Sequence, residues 1–155
     1  MGSEMQNIVS LLKRTFEGGA WHGPSVKETL ATVSEQQAFH RLPNTHSIIE
    51  LVAHMTAWRR YLLKKLAGDL TYRITDELNF PQPHDWNQTV QELKETQNEL
   101  LKAIGALPLA NLNEQVPWTK EPFTYYTLLH GIIHHDLYHI GQINLIRKSG
   151  LEQSF

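Results

Sequence analysis

The sequence predicts an all-α fold: a bundle of four long helices, with an extra short helix between the first and the second. Three observations carry this. Apolar residues recur at three- and four-residue spacing along nearly the whole chain. Glycine and proline fall mostly between those stretches. No segment shows the two-residue alternation of a strand beside a hairpin turn. A length of 155 residues suits one domain, spanning 1–155.

Ile8, Leu11, Leu12 and Phe16 set the inner face of the first helix, which Gly18-Gly19 ends. The short helix runs from Ser25 to about Gln36. Ser25 is its N-cap, and Glu28, three residues on, completes a capping box. Pro43-Asn44-Thr45 then breaks the chain. Thr45 caps the second long helix, which reaches Ala67 and closes at Gly68. Asp69 to His84 reads as irregular, with Pro81 and Pro83. Asp85 caps the third helix, Trp86 to Ile104, with Val90, Leu93, Leu100 and Leu101 turned inward. Pro108 to Pro122 is a connecting loop. Thr124 caps the fourth helix, Tyr125 to Lys148, with Gly150 as its stop. Arg147 and Lys148 suit the negative end of that helix's dipole. The long connections permit a topology other than up-down-up-down.

Composition removes several function classes. Hydrophobic residues make up 41% of the chain and charged residues 19%, enough apolar material for a core. Fourteen Lys and Arg against sixteen Asp and Glu give a formal charge of −2. That balance argues against nucleic-acid and anionic-membrane partners. The chain has no cysteine, which excludes disulfides, thiolate metal sites, iron–sulfur clusters and a cysteine nucleophile. No run approaches twenty apolar residues and no signal-peptide pattern opens the chain, so a cytoplasmic location is expected.

Histidine stands apart, with nine in the chain and four of them between positions 130 and 139. His130 with His134, and His135 with His139, are two i,i+4 pairs. Such residues lie roughly 40° apart around a helix and about 6 Å apart along it, so two imidazoles can converge on one ion. The apolar line Leu128, Ile132, His135, His139, Ile143, Ile146 makes His135 and His139 the buried pair and turns His130 and His134 away. A third ligand comes from the second helix, where His54 lies on the line Leu51, His54, Trp58, Leu62. Bundle-core metal sites are built from facing helices in this way. Three buried imidazoles without partners are costly, and a shared cation removes the cost. The rival reading is three separately hydrogen-bonded core histidines.

Other residues take blander readings. Glu50, one turn before His54, reads as a solvated helix residue, with orientation of His54 or reach to the metal as its functional alternative. His46 stands at a helix start near the expected site. Asp136 points elsewhere than His135 and suits a salt bridge. Tyr138 and Gln142 either line a pocket or pack against a neighbouring helix. Trp58, Trp86 and Trp118 are packing residues, and His22, His40 and His84 take no role. Gly141 and Gly131 sit inside a helical pattern, where glycine costs about 1 kcal/mol relative to alanine. Close helix approach is the expected return at Gly141, and room beside the site at Gly131.

His135-Asp136-Leu137-Tyr138-His139-Ile140-Gly141-Gln142-Ile143 resembles the His-x-x-x-His-x-Gly-Gln-Ile signature of the DinB-like (DinB/YfiT) family of four-helix proteins. His46 to His54, followed by Trp58, resembles that family's second helix. The resemblance covers almost the whole chain. It implies a four-helix bundle of the DinB/YfiT type and one divalent ion, nickel or zinc, on His54, His135 and His139. It implies a low-molecular-weight thiol cosubstrate, a small-molecule substrate and a homodimer. Where some members carry a further histidine, this chain has Gly131.

Three histidines leave open coordination positions, the pattern of a catalytic site. Thiol-dependent S-transfer ranks first, on the resemblance. Metal-dependent hydrolysis is the alternative, because no His-Glu-x-x-His motif supplies its base. A non-catalytic metal-binding or dimerisation module is the third reading. A di-iron bundle is disfavoured, since no Glu lies between Thr124 and Gly150.

Overall fold

A computed structural model describes residues 3–149 except Leu70, Trp118 and Lys120. The expected stop at Gly150 and the packing expected of Trp118 lie outside the described residues. Those residues form α1 (Glu4–Glu17), α2 (Val26–Leu30), α3 (Glu35–Phe39), α4 (Ile48–Leu66), α5 (Asp76–Asn79), α6 (Trp86–Ala106) and α7 (Tyr125–Ser149). A 3₁₀ helix, Leu109–Asn113, precedes α7. The only extended pairing among the described residues is one bridge between Gln115 and Thr124. The fold is therefore all-α, and α1, α4, α6 and α7 are the four long helices.

Local chemistry explains most boundaries. Ser25 and Glu28 form the expected capping box, with Ser25 N–H donating to Glu28 Oε2 at 2.8 Å and Glu28 N–H donating to Ser25 Oγ at 3.2 Å. Asp85 accepts from Gln88 N–H at 2.8 Å, and Thr124 accepts from Thr127 N–H at 3.2 Å, so both expected caps form. Gly18 ends α1 at φ 147°, a conformation that side chains rarely adopt.

Four expectations need correction. The short helix is two helices, because Ser34 and Gln37 build a second capping box that starts α3 afresh. The irregular segment holds α5, capped by Thr75. Ser47, not Thr45, begins α4: Glu50 accepts from Ser47 N–H at 2.7 Å and from Ser47 Oγ at 2.8 Å. Leu11 is half exposed, since α1 buries Met5, Ile8, Leu12, Thr15 and Phe16 instead. Each large apolar side chain on that face contributes roughly 1.5–3 kcal/mol of burial.

In the bundle, α4 packs on α6 and α7, and α1 closes against α6 and α7. The core divides into two apolar clusters. One gathers Phe16, Met55, Leu93, Ile140, Ile143 and Ile146 with α2 and α3, and Trp86 packs in it as expected. The other gathers Ile8, Leu12, Leu62, Leu100, Leu129 and Ile133. Arg59, Gln97 and Asp136 are buried with them, all fully inaccessible. Arg59 donates to Asp136 Oδ2 at 2.7 Å, to Gln97 Oε1 at 3.0 Å and to the Met55 carbonyl at 3.2 Å. Its guanidinium also lies over the Phe16 ring at 5.1 Å. This layer cross-links α4, α6 and α7.

That layer corrects the reading of α7. Its inner line runs through Leu129, Ile133, Asp136, Ile140 and Ile143, so the charged Asp136 holds a core position. His139 is buried, but His135 is only half-buried, at the edge of that line. Asp136 makes the expected salt bridge. Among the described residues no helix is long and apolar enough to cross a membrane.

Candidate metal centre

His54 projects from the middle of α4, and His135 and His139 project from α7 one turn apart. The helix packing brings the three rings together. Nε2 of His135 lies 3.0 Å from Nε2 of His54 and 3.0 Å from Nε2 of His139. One nitrogen from each ring lies within 4.8 Å of the others. The expected trio is therefore assembled.

The outer nitrogens fix the protonation. His54 Nδ1 faces the Asn79 carbonyl at 2.7 Å, and a carbonyl only accepts, so Nδ1 carries the proton. His139 Nδ1 faces Gln142 Oε1 at 2.6 Å with the same consequence. Both rings then turn an Nε2 lone pair toward His135. Burial pushes His135 down to about 3, with His139 and His54 adding to it. Burial pushes His139 down to about 4 against its bond to Gln142, and lowers His54 against its bond to Asn79. All three rings are neutral at physiological pH. A single proton on His135 Nε2 can satisfy one facing lone pair and leaves the other opposed. His135 Nδ1 is buried without a hydrogen-bond partner. A cation would supply what the cluster lacks, and three imidazole nitrogens suit a divalent transition-metal ion chemically. The donor set therefore fits a divalent ion.

Residues outside the trio hold its geometry. Asn79, at the end of α5, accepts from His54 through its carbonyl and from Trp58 Nε1 through its side chain at 3.0 Å. Phe80 stacks on His54 at 4.2 Å and on His46 at 3.8 Å. Such outer contacts orient metal-binding imidazoles. Neither Asn79 nor Phe80 was legible, because a backbone carbonyl and a stacking ring in a loop leave no spacing pattern. Arg59 did leave a signal: it interrupts the apolar line Val52, Met55, Leu62 of α4.

The remaining candidates sort clearly. Glu50 is buried rather than solvated and does not join the cluster. It caps α4, pairs with Arg41, and stands 4.0 Å from His46 Nδ1. The Ser-x-x-Glu spacing at Ser47 was the available signal. Burial opposes its ionisation, yet the bonds from Ser47 and the charge of Arg41 hold it below the ordinary carboxylate range. His134 is exposed, and His130 bonds the Tyr126 carbonyl at 3.0 Å; both stay out of the cluster. Gly141 has open space where a side chain would stand, so close helix approach does not explain it. Gln142 holds His139, and Tyr138 lines a cavity of about 550 Å³ in front of the trio. Trp58 is half-buried and lines it too.

A family model of the DinB superfamily matches residues 21–143. The chain belongs to the DinB superfamily. The matched span starts after α1 and contains all three clustered histidines. No curated protein shows significant similarity to the chain. This DinB bundle thus carries a three-histidine cluster, able to hold a metal ion, in the wall of a cavity.

Proposed function

We propose that this DinB bundle is a metal-dependent enzyme in which His54, His135 and His139 hold one divalent ion, nickel or zinc, and a small thiol is transferred onto a small-molecule substrate. The observation that carries the reading is the convergence of three imidazoles: Nε2 of His54 and Nε2 of His139 each lie 3.0 Å from Nε2 of His135, and the outer partners of the first two leave those atoms as lone pairs. When bound, the ion supplies a Lewis acid that favours the anion of a thiol at neutral pH.

The chain's own residues do the rest. Asn79 and Gln142 keep His54 and His139 in their binding tautomers. Trp58 and Phe80 wall the trio with aromatic surface. The chain has no cysteine, so the thiol is a cosubstrate. Its sulfur forms the new bond to substrate carbon, the leaving group departs with the electron pair of the broken bond, and the thiol proton passes to solvent. Hydrolysis ranks second because no Asp or Glu lines the cavity among the described residues, which leaves no carboxylate to activate water. A cavity beside the ligand set favours catalysis over a purely structural ion, whose protein ligands fill every position.

The test is conjugation of 1-chloro-2,4-dinitrobenzene with 2-mercaptoethanol by nickel- and zinc-loaded protein. The expected result is conjugation that requires both metal and thiol and disappears in His139→Ala. Ester hydrolysis without thiol would move the assignment to a hydrolase. Neither reaction in any metal-loaded form would leave a non-catalytic metal module.

A further inference from the structure

The cavity itself says what reaches the three imidazoles. Its volume of about 550 Å³ falls in the range of small-ligand sites. Its walls are apolar and mostly aromatic: Trp58 and Tyr61 from α4, Phe80 after α5, Phe123 before α7, and Leu128 and Tyr138 from α7. No Lys, Arg, Asp or Glu lines it among the described residues. Its two side-chain amides are engaged inward, Asn79 with Trp58 and Gln142 with His139, so that His46, Thr127, Tyr61 and Tyr138 are its other polar side chains besides the trio. A ligand with several charges would lose water there and find little to replace it. An apolar ligand gains from the same walls.

Gly131 adds an independent observation. It lies in the interior of α7, where glycine is a poorer helix former than alanine. Its φ is not positive, and a Cβ built on it meets nothing within 4 Å. Neither backbone conformation nor packing therefore calls for glycine. Gly131 does line the cavity, one turn before His135, so the missing side chain leaves room there.

We infer that the cavity takes an aryl or alkyl ligand with a single anionic head group directed at the three histidines, and that Gly131 sets the size of its apolar body. The head-group half rests on the metal reading above; the apolar half does not.

The test measures binding of a thiol series to zinc-loaded protein by titration calorimetry: ethanethiol, propanethiol, butanethiol, 3-phenylpropane-1-thiol and mercaptosuccinate. Affinity is expected to rise by about fourfold per added methylene. The aryl thiol binds tightest, and mercaptosuccinate no better than ethanethiol. Gly131→Leu, which adds a helix-favouring side chain into open space, loses the aryl gain but keeps zinc and ethanethiol. A flat methylene series, tighter binding of mercaptosuccinate, or an unchanged aryl gain in Gly131→Leu would overturn the inference while the metal reading stands. Absence of bound zinc would defeat the metal reading and the head-group half with it. The apolar half is then read with 3-phenylpropan-1-ol on metal-free protein: binding weakened by Gly131→Leu sustains it, and no binding overturns it.

Discussion

Helices α4 and α7 bury two polar groupings side by side, and the two are built on opposite principles. Asp136 follows His135 directly in sequence, yet it turns to the closed interior while His135 turns to the cavity edge. In the Arg59–Asp136–Gln97 layer the charges meet their opposites within the protein, with both ion-pair side chains fully inaccessible. Burial pushes the Asp136 carboxyl up from its ordinary range, and the guanidinium 2.7 Å away pulls against it. In the histidine cluster two lone pairs face one ring nitrogen, whose single proton can meet only one of them. The first grouping pairs its charges without a ligand and holds three helices in register, although Asp136 Oδ1 and Gln97 Nε2 are left without a hydrogen-bond partner. The second leaves a lone pair opposed, which a bound ion would meet on the proposed reading. Buried polarity is therefore not one signal: paired opposite charges mark a structural device, and facing acceptors mark a candidate binding site.

The largest expected effect breaks the first grouping. Asp136→Ala leaves the Arg59 charge buried without its partner, and unfolding in denaturant should show a loss of about 3–5 kcal/mol. The double variant Arg59→Met with Asp136→Leu should recover most of it, because apolar replacement of a whole buried pair is often neutral. A small loss in the single variant would mean that the layer is not the closed unit described.

The second grouping should respond in the opposite way. His54→Ala, His135→Ala and His139→Ala should each abolish metal retention in elemental analysis, yet cost metal-free protein clearly less stability than Asp136→Ala. His130→Ala should keep its metal. Gln142→Ala is a finer probe, since it removes only the partner of His139 Nδ1. Metal affinity should fall roughly 10–100-fold while the unfolding curve stays nearly in place.

Acid probes the same cluster and works on metal-free protein. His135 and His139 sit at about 3 and about 4 when folded, against 6.5 for the free group. Below 6.5 the unfolded chain takes up protons that the folded chain refuses, so stability is full above that pH and declines as pH falls toward 3. The decline should be shallower in His135→Ala. An identical slope would mean that His135 is not held neutral.

The sequence made one of these groupings legible and hid the other. The i,i+4 histidines and His54 on a facing helix could be found because helical spacing is a local rule, and so were the caps at Ser25, Asp85 and Thr124. The line assigned to α7 was displaced, because the apolar pattern gave the core to the histidines; a salt bridge was expected of Asp136, but no local rule shows that the pair is buried. Only three-dimensional packing shows that Arg59 and Gln97 meet it. Asn79 and Phe80 were hidden for a related reason: they act from a short helix and loop that periodicity does not reach. The start of α4 was misplaced although its capping box was there to see, since Pro43-Asn44-Thr45 offered a competing stop.

The most direct test of the contrast is metal content per chain, measured side by side on tag-free wild type, His139→Ala and His130→Ala after incubation with nickel or zinc and removal of free ion. One divalent ion per chain in wild type and His130→Ala, and none in His139→Ala, is the predicted result. Equal metal in His139→Ala, or no metal in the wild type, would show that the three imidazoles are satisfied by the protein after all and that the two groupings do not differ in kind.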